Sequence, residues 1–126
     1  FFLQSGTFNN LGGAVFDLRA DRGINNNGGT NLFSNAGTVR KSVGTGTSSV
    51  GVPFNNSATV EVQTGTLEFN NGGTSSGAFN VSAGATVEFG GGTHTLSPSS
   101  SINAASAAVS AQTIGAASAI VSSRRR

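Results

Sequence analysis

Short bursts of strict alternation run along this chain. Val60 and Val62 flank Glu61, Leu67 and Phe69 flank Glu68, Phe79 and Val81 flank Asn80, and Val87 and Phe89 flank Glu88. Alternation with a period of two sends successive side chains to opposite faces of a strand. The pattern therefore predicts short, half-buried strands with Glu or Asn outward and Val, Leu or Phe inward. Between the bursts stand Gly65, Asn70-Asn71-Gly72-Gly73, Ser82-Ala83-Gly84 and Gly90-Gly91-Gly92, residue types that tolerate sharp corners. Nothing in roughly the first hundred residues reads as a helix.

The bursts also repeat. Leu32-Phe33-Ser34-Asn35-Ala36-Gly37-Thr38-Val39 returns as Pro53-Phe54-Asn55-Asn56-Ser57-Ala58-Thr59-Val60. Thr66-Leu67-Glu68-Phe69 returns as Thr86-Val87-Glu88-Phe89, and a weaker copy of the Phe33 segment starts at Phe8. Self-similarity at a period of roughly 20–25 residues is the mark of a solenoid. A sandwich has no reason to repeat at the strand-pair interval, whereas stacked coils align like residues in ladders. The predicted class is all-β, a parallel β-helix (β-solenoid) of about 20–25 residues per coil with roughly five or six coils, making a rod of roughly 25–30 Å. The predicted ladders place Phe33 on Phe54, Asn35 on Asn56, Leu67 on Val87 and Phe69 on Phe89. Stacked Asn amides would hydrogen-bond along the axis and Phe rings would fill the interior.

A single domain over 1–126 is expected, with well-patterned coils over 1–96. Residues 97–123 are rich in Ala and Ser and read as a terminal coil or extension, with an Ala-rich helix as the rival. Residues 124–126 form a basic tail. The formal charge of +2 comes from that tail. Without Arg124, Arg125 and Arg126, four cations (Arg19, Arg22, Arg40, Lys41) face five acidic residues. Four scattered cations do not build a nucleic-acid groove, so no nucleic-acid partner is expected. With no Cys, neither a disulfide framework nor a thiolate metal site can form. The opening Phe1-Phe2-Leu3-Gln4 lacks the pattern of a signal peptide, and no apolar stretch approaches the ~20 residues of a membrane span.

The run from Phe33 to Ile102 resembles repeats of very large secreted bacterial surface proteins. Its clearest parts are Pro53 to Phe69 and Gly84-Ala85-Thr86-Val87-Glu88-Phe89-Gly90-Gly91-Gly92-Thr93-His94-Thr95-Leu96. The proteins it resembles include autotransporter passengers and filamentous-haemagglutinin-like adhesins. The resemblance implies a right-handed coil and an extracellular or cell-surface location. It says nothing of a ligand, since such repeats form stalks, adhesins, matrix fibres and scaffolds for polysaccharide-cleaving enzymes.

Candidate chemistry is sparse. Phe16-Asp17-Leu18-Arg19-Ala20-Asp21-Arg22, taken as a strand, points Phe16, Leu18 and Ala20 inward and Asp17, Arg19 and Asp21 outward. The two Asp would lie about 13 Å apart along the strand, too far for paired glycosidase carboxylates. Glu68 and Glu88 would stack roughly 5 Å apart if their coils are adjacent, a product of repetition. The single His94 reads as a surface residue and cannot form a closed metal site by itself. The Thr-x-Thr triplets at 45–47, 64–66 and 93–95 are too irregularly spaced for one flat Thr face. The Gly runs lack the Lys of a phosphate loop.

The expectation is thus a non-enzymatic extracellular structural protein without catalytic, metal or cofactor residues, a subunit of a surface filament or an adhesin stalk. Its partner is itself, head to tail, or neighbouring repeats of a longer chain, with Phe1, Phe2, Leu3, Ile120 and Val121 at the axial interface. The alternative is a carbohydrate-binding or polysaccharide-cleaving module whose surface-glycan face holds Asp17, Arg19, Asp21, Glu68 and Glu88.

Overall fold

The computed structural model describes residues 1–104 and the backbone of three further strands at 109–111, 114–116 and 120–123. In chain order the strands begin β1 (Phe2–Leu3), β2 (Gly6–Asn10), β3 (Val15–Leu18), β4 (Asn25–Asn26), β5 (Asn31–Asn35) and β6 (Thr38–Lys41). They continue as β7 (Thr47–Val50), β8 (Phe54–Asn56), β9 (Thr59–Val62), β10 (Thr66–Phe69), β11 (Gly73–Ser75) and β12 (Ala78–Val81). The last are β13 (Thr86–Phe89), β14 (His94–Leu96), β15 (Ser101–Ala104), β16 (Val109–Ala111), β17 (Ile114–Ala116) and β18 (Ile120–Ser123). No helix occurs among the described residues.

The chain winds as a parallel β-solenoid of about five coils. One side stacks β2, β5, β8, β11, β14 and β17, and a second stacks β3, β6, β9, β12, β15 and β18. The third stacks β7, β10, β13 and β16. It begins with an isolated bridge between Ile24 and Val50, while β1 pairs with β4 beside it. Every strand pair among the described residues is parallel. The step from one coil to the next varies along the rod, long at its start, from Phe8 to Phe33 and from Ile24 to Val50, and shorter further on, from Asn56 to Ser75.

The four predicted ladders form in register: Phe33 on Phe54, Asn35 on Asn56, Leu67 on Val87 and Phe69 on Phe89. Their side chains are buried. Phe1, Phe8, Phe16, Phe33, Phe54, Phe69, Phe79 and Phe89 form one continuous chain of rings, with neighbouring centroids 4.4–6.3 Å apart in stacked, tilted and edge-on pairs. A fully buried Phe contributes about 1.5–3 kcal/mol by removal from water, so this column is the principal apolar support of the rod.

A polar column stands beside it at the corner between the first two sides. Asn10 Nδ2 donates to Asn35 Oδ1 at 2.9 Å, Asn35 Nδ2 to Asn56 Oδ1 at 2.9 Å, and Asn56 Nδ2 to Ser75 Oγ at 3.3 Å. The same amides bind the backbone of the turn: Asn35 Oδ1 accepts from Gly37 N–H at 3.2 Å, and Asn56 Oδ1 from Ala58 N–H at 3.2 Å. Buried turn amides that strand pairing leaves over are satisfied in this way. At another corner, Gly73 has a φ of +136°, and a Cβ there would collide with the Phe54 carbonyl oxygen. Only glycine fits that bend.

The segment from Phe16 to Arg22 differs from its predicted strand. Strand β3 ends at Leu18, and Ala20 is exposed rather than inward. The chain leaves the ladder there to round a corner, so alternation stops deciding which face a side chain takes. Within the Ala- and Ser-rich stretch, β15, β16, β17 and β18 add to the same three sides. The basic tail, 124–126, lies outside the described residues.

Candidate functional site

The charged residues sit on two sides and one corner. On the second side Asp17, Arg40 and Glu61 occupy one register position on successive strands. Arg40 pairs with Asp17 at 3.2 Å and reaches Glu61 at 3.9 Å. Asn80 and Asn103 continue that row, Asn103 donating to Asn80 at 3.0 Å. Burial pushes the Asp17 carboxyl up, but hydrogen bonds from Ser42 and Arg40 outweigh it and hold the pKa below the usual Asp value. Glu68 and Glu88 stack on the third side, where Ser49 donates to Glu68 at 2.8 Å. Arg19 and Asp21 belong to the corner after β3. Of the five residues of the predicted glycan face, Asp17 and Arg19 line one pocket with Arg22, but the whole set is not brought together, because Asp17 and the two Glu lie on different sides of the rod.

Asp21 instead holds Lys41, whose placement its residue type does not announce. Lysine is rarely buried, yet Lys41 is wholly so, in register between Leu18 and Val62. Its ammonium donates to Asp21 Oδ1 at 2.9 Å, Ser48 Oγ at 3.0 Å, Val43 O at 3.2 Å and Ala20 O at 3.3 Å. The lysine ties two neighbouring corners to the inside of the rod. Its hydrogen bond holds the Asp21 carboxyl below its ordinary pKa. The signal was present in the repeat: Thr38-Val39-Arg40-Lys41 aligns with Thr59-Val60-Glu61-Val62, which places Lys41 at an inward position.

His94 is also a correction. It is 4 % exposed, not a surface residue. Its ring lies 5.2 Å from that of Phe89, and Nε2 stands 3.0 Å from the Gly91 carbonyl oxygen. Alternation across His94-Thr95-Leu96 puts the imidazole on the same face as the buried Leu96. Gly73, its register neighbour, adds no side chain beneath it. Burial pushes the His94 pKa below its ordinary 6.5, against a smaller opposing effect of the Gly91 hydrogen bond. The unfolded chain then binds this proton more tightly than the folded one. The stabilisation is complete above about pH 6.5 and is lost as pH falls through that value towards the lower folded pKa. Urea midpoints measured from about pH 8 to 5 are expected to fall on the acid side in the native chain and to stay flat across that window in His94→Leu.

Two surfaces remain. At the first coil, β2 and β3 are the edge strands of their sheets. On their inward side Gly6 N–H donates to Thr30 O, and Ala14 O accepts from Thr38 N–H. Backbone groups alternate in direction along a strand, so those of Thr7, Asn9, Val15 and Asp17 face away from the rod. Phe1 is 56 % exposed, Phe2 71 %, Leu11 67 % and Val15 52 %, while Leu3 packs against the core. Ile120 and Val121 lie in β18, the last strand of the second side, with side chains outside the described residues. The other surface is a shallow groove of about 330 Å³ along the first side, lined by Ser, Thr and Asn from Ser34 to Ser97.

No group of three or more His, Cys, Asp and Glu that could hold a metal ion occurs among the described residues. No helix among them is long and apolar enough to cross a membrane. Comparison with protein-family models, curated proteins and solved structures finds no match. The fold itself defines the class: a parallel β-solenoid repeat protein.

Proposed function

We propose that this chain is an extracellular structural element, a rod segment of a surface filament or adhesin stalk that lengthens head to tail by stacking coil on coil. The observation that supports this reading most is the first coil's edge. Two parallel sheets end there with outward backbone N–H and C=O groups, next to exposed Phe1, Phe2 and Val15. Such an edge is a template for further strands, supplied by another copy or by neighbouring repeats of a longer chain. A contact of this kind that does not close a ring generates an open filament. β17 and β18 are the far edges of the two sheets that β2 and β3 begin, so those of one copy can stack on β2 and β3 of the next. The resemblance to secreted surface-protein repeats agrees with this reading.

Sedimentation of the purified chain over rising concentration is expected to show growing assemblies, and electron microscopy to show rods with a layer spacing near about 4.8 Å. Thr7→Pro removes an outward N–H without touching an internal pair, and is expected to block assembly while leaving the urea midpoint unchanged. A chain that stays monomeric at high concentration overturns head-to-tail growth, as does a Thr7→Pro variant that assembles like the native chain.

A further inference from the structure

The three sides of the rod differ in charge. Asp17, Arg40 and Glu61 mark the second and Glu68 and Glu88 the third, but the strands of the first side carry no Asp, Glu, Lys or Arg. The single ionisable side chain in those described strands, His94, points into the core. This uncharged side also carries the groove. Ser34, Asn55, Thr74 and Thr95 stand on four successive strands, β5, β8, β11 and β14, and face outward. The Thr74 backbone N–H and Oγ1 both donate to Asn55 Oδ1 at 3.0 Å, which fixes that amide with its Nδ2 left over. The hydroxyls of Ser34, Ser76 and Thr95 and the Asn55 Nδ2 have no protein partner among the described residues.

Strand stacking sets these groups about 4.8 Å apart along the axis, close to the length that one sugar ring adds to an extended chain. Hydroxyl and amide groups both donate and accept, matching the hydroxyls of a sugar. The uncharged lining gives an ionic ligand no counter-charge. We propose that the groove binds a neutral, unbranched polysaccharide laid along the rod axis, one sugar ring per coil. The site differs from the charged face predicted from the sequence, and it is available whether or not rods join end to end.

Affinity electrophoresis in gels containing a soluble neutral β-glucan tests the proposal, with polygalacturonate as the charged comparison. The native chain is expected to be retarded by the glucan and not by polygalacturonate. Thr95→Val combined with Ser34→Ala removes two free hydroxyls at outward positions and is expected to weaken retardation about fivefold or more with an unchanged urea midpoint. The proposal is overturned by a native chain that runs unretarded in glucan, by equal retardation in both polymers, or by a double variant that binds like the native chain.

Discussion

Phe69→Ala is expected to lower stability by about 3–5 kcal/mol, the usual result of emptying a buried aromatic site. Phe69 is 1 % exposed and sits at the branch of the ring column, with centroids 4.4 Å from Phe54, 5.8 Å from Phe79 and 6.1 Å from Phe89. Removing it leaves three rings facing a void that flanking strands cannot close, because their register is fixed on both sides by parallel pairing with β7 and β13. Phe2→Ala is the control. That ring is 71 % exposed and makes no ring contact among the described residues, so its loss is expected to change stability by no more than about 0.5 kcal/mol. Urea denaturation of the two variants beside the native chain decides the matter. Equal midpoints for Phe69→Ala and the native chain would show that the column does not support the rod.

Asn35→Leu is the second large effect, and it acts through hydrogen bonds rather than volume. Asn35 is 1 % exposed and links three coils: it accepts from Asn10, donates to Asn56 and to Thr59 O, and accepts from Gly37 N–H. A Leu fills similar space but strands the buried Gly37 amide, at about 1–3 kcal/mol, and forfeits side-chain bonds worth about 1 kcal/mol each. The expected total is about 3 kcal/mol or more. Asn35→Asp separates shape from bonding. At neutral pH its carboxylate faces Asn56 Oδ1 and Thr59 O with no proton to give, so it should be less stable, relative to the native chain, near pH 7 than near pH 4. A pH-independent difference would show that the donor is irrelevant.

The coil architecture was legible in the sequence because each coil buries the same positions as its neighbour. Phe33 and Phe54, Asn35 and Asn56, and Phe69 and Phe89 are alike in sequence because they are stacked in space. Alternation failed at corners, where the chain leaves the ladder; Ala20 is the example. His94 was misplaced, and the burial of Lys41 was not foreseen, for another reason. Their residue types argue for the surface, while their positions, equivalent to Val62 and in phase with Leu96, argue for the interior. Position prevailed because local partners, Asp21 and Ser48 for the lysine and the Gly91 carbonyl for the histidine, accept the polar atoms in place of water.

The candidate surfaces were much less legible. Sequence spacing gathers Asp17, Arg19 and Asp21 by proximity and Glu68 and Glu88 by repetition, but it does not show which side of the rod each row occupies. The alternation, the periodic burial and the axial ladders were determined by the sequence itself, since like residues that recur once per coil align when the coils are stacked. Which rows share a face, that one face is free of charge and concave, and that a lysine closes the interior were decided only by the tertiary structure. The corners make that difference: their lengths vary from coil to coil, and they set how each strand is turned toward the axis and which distant residues become neighbours.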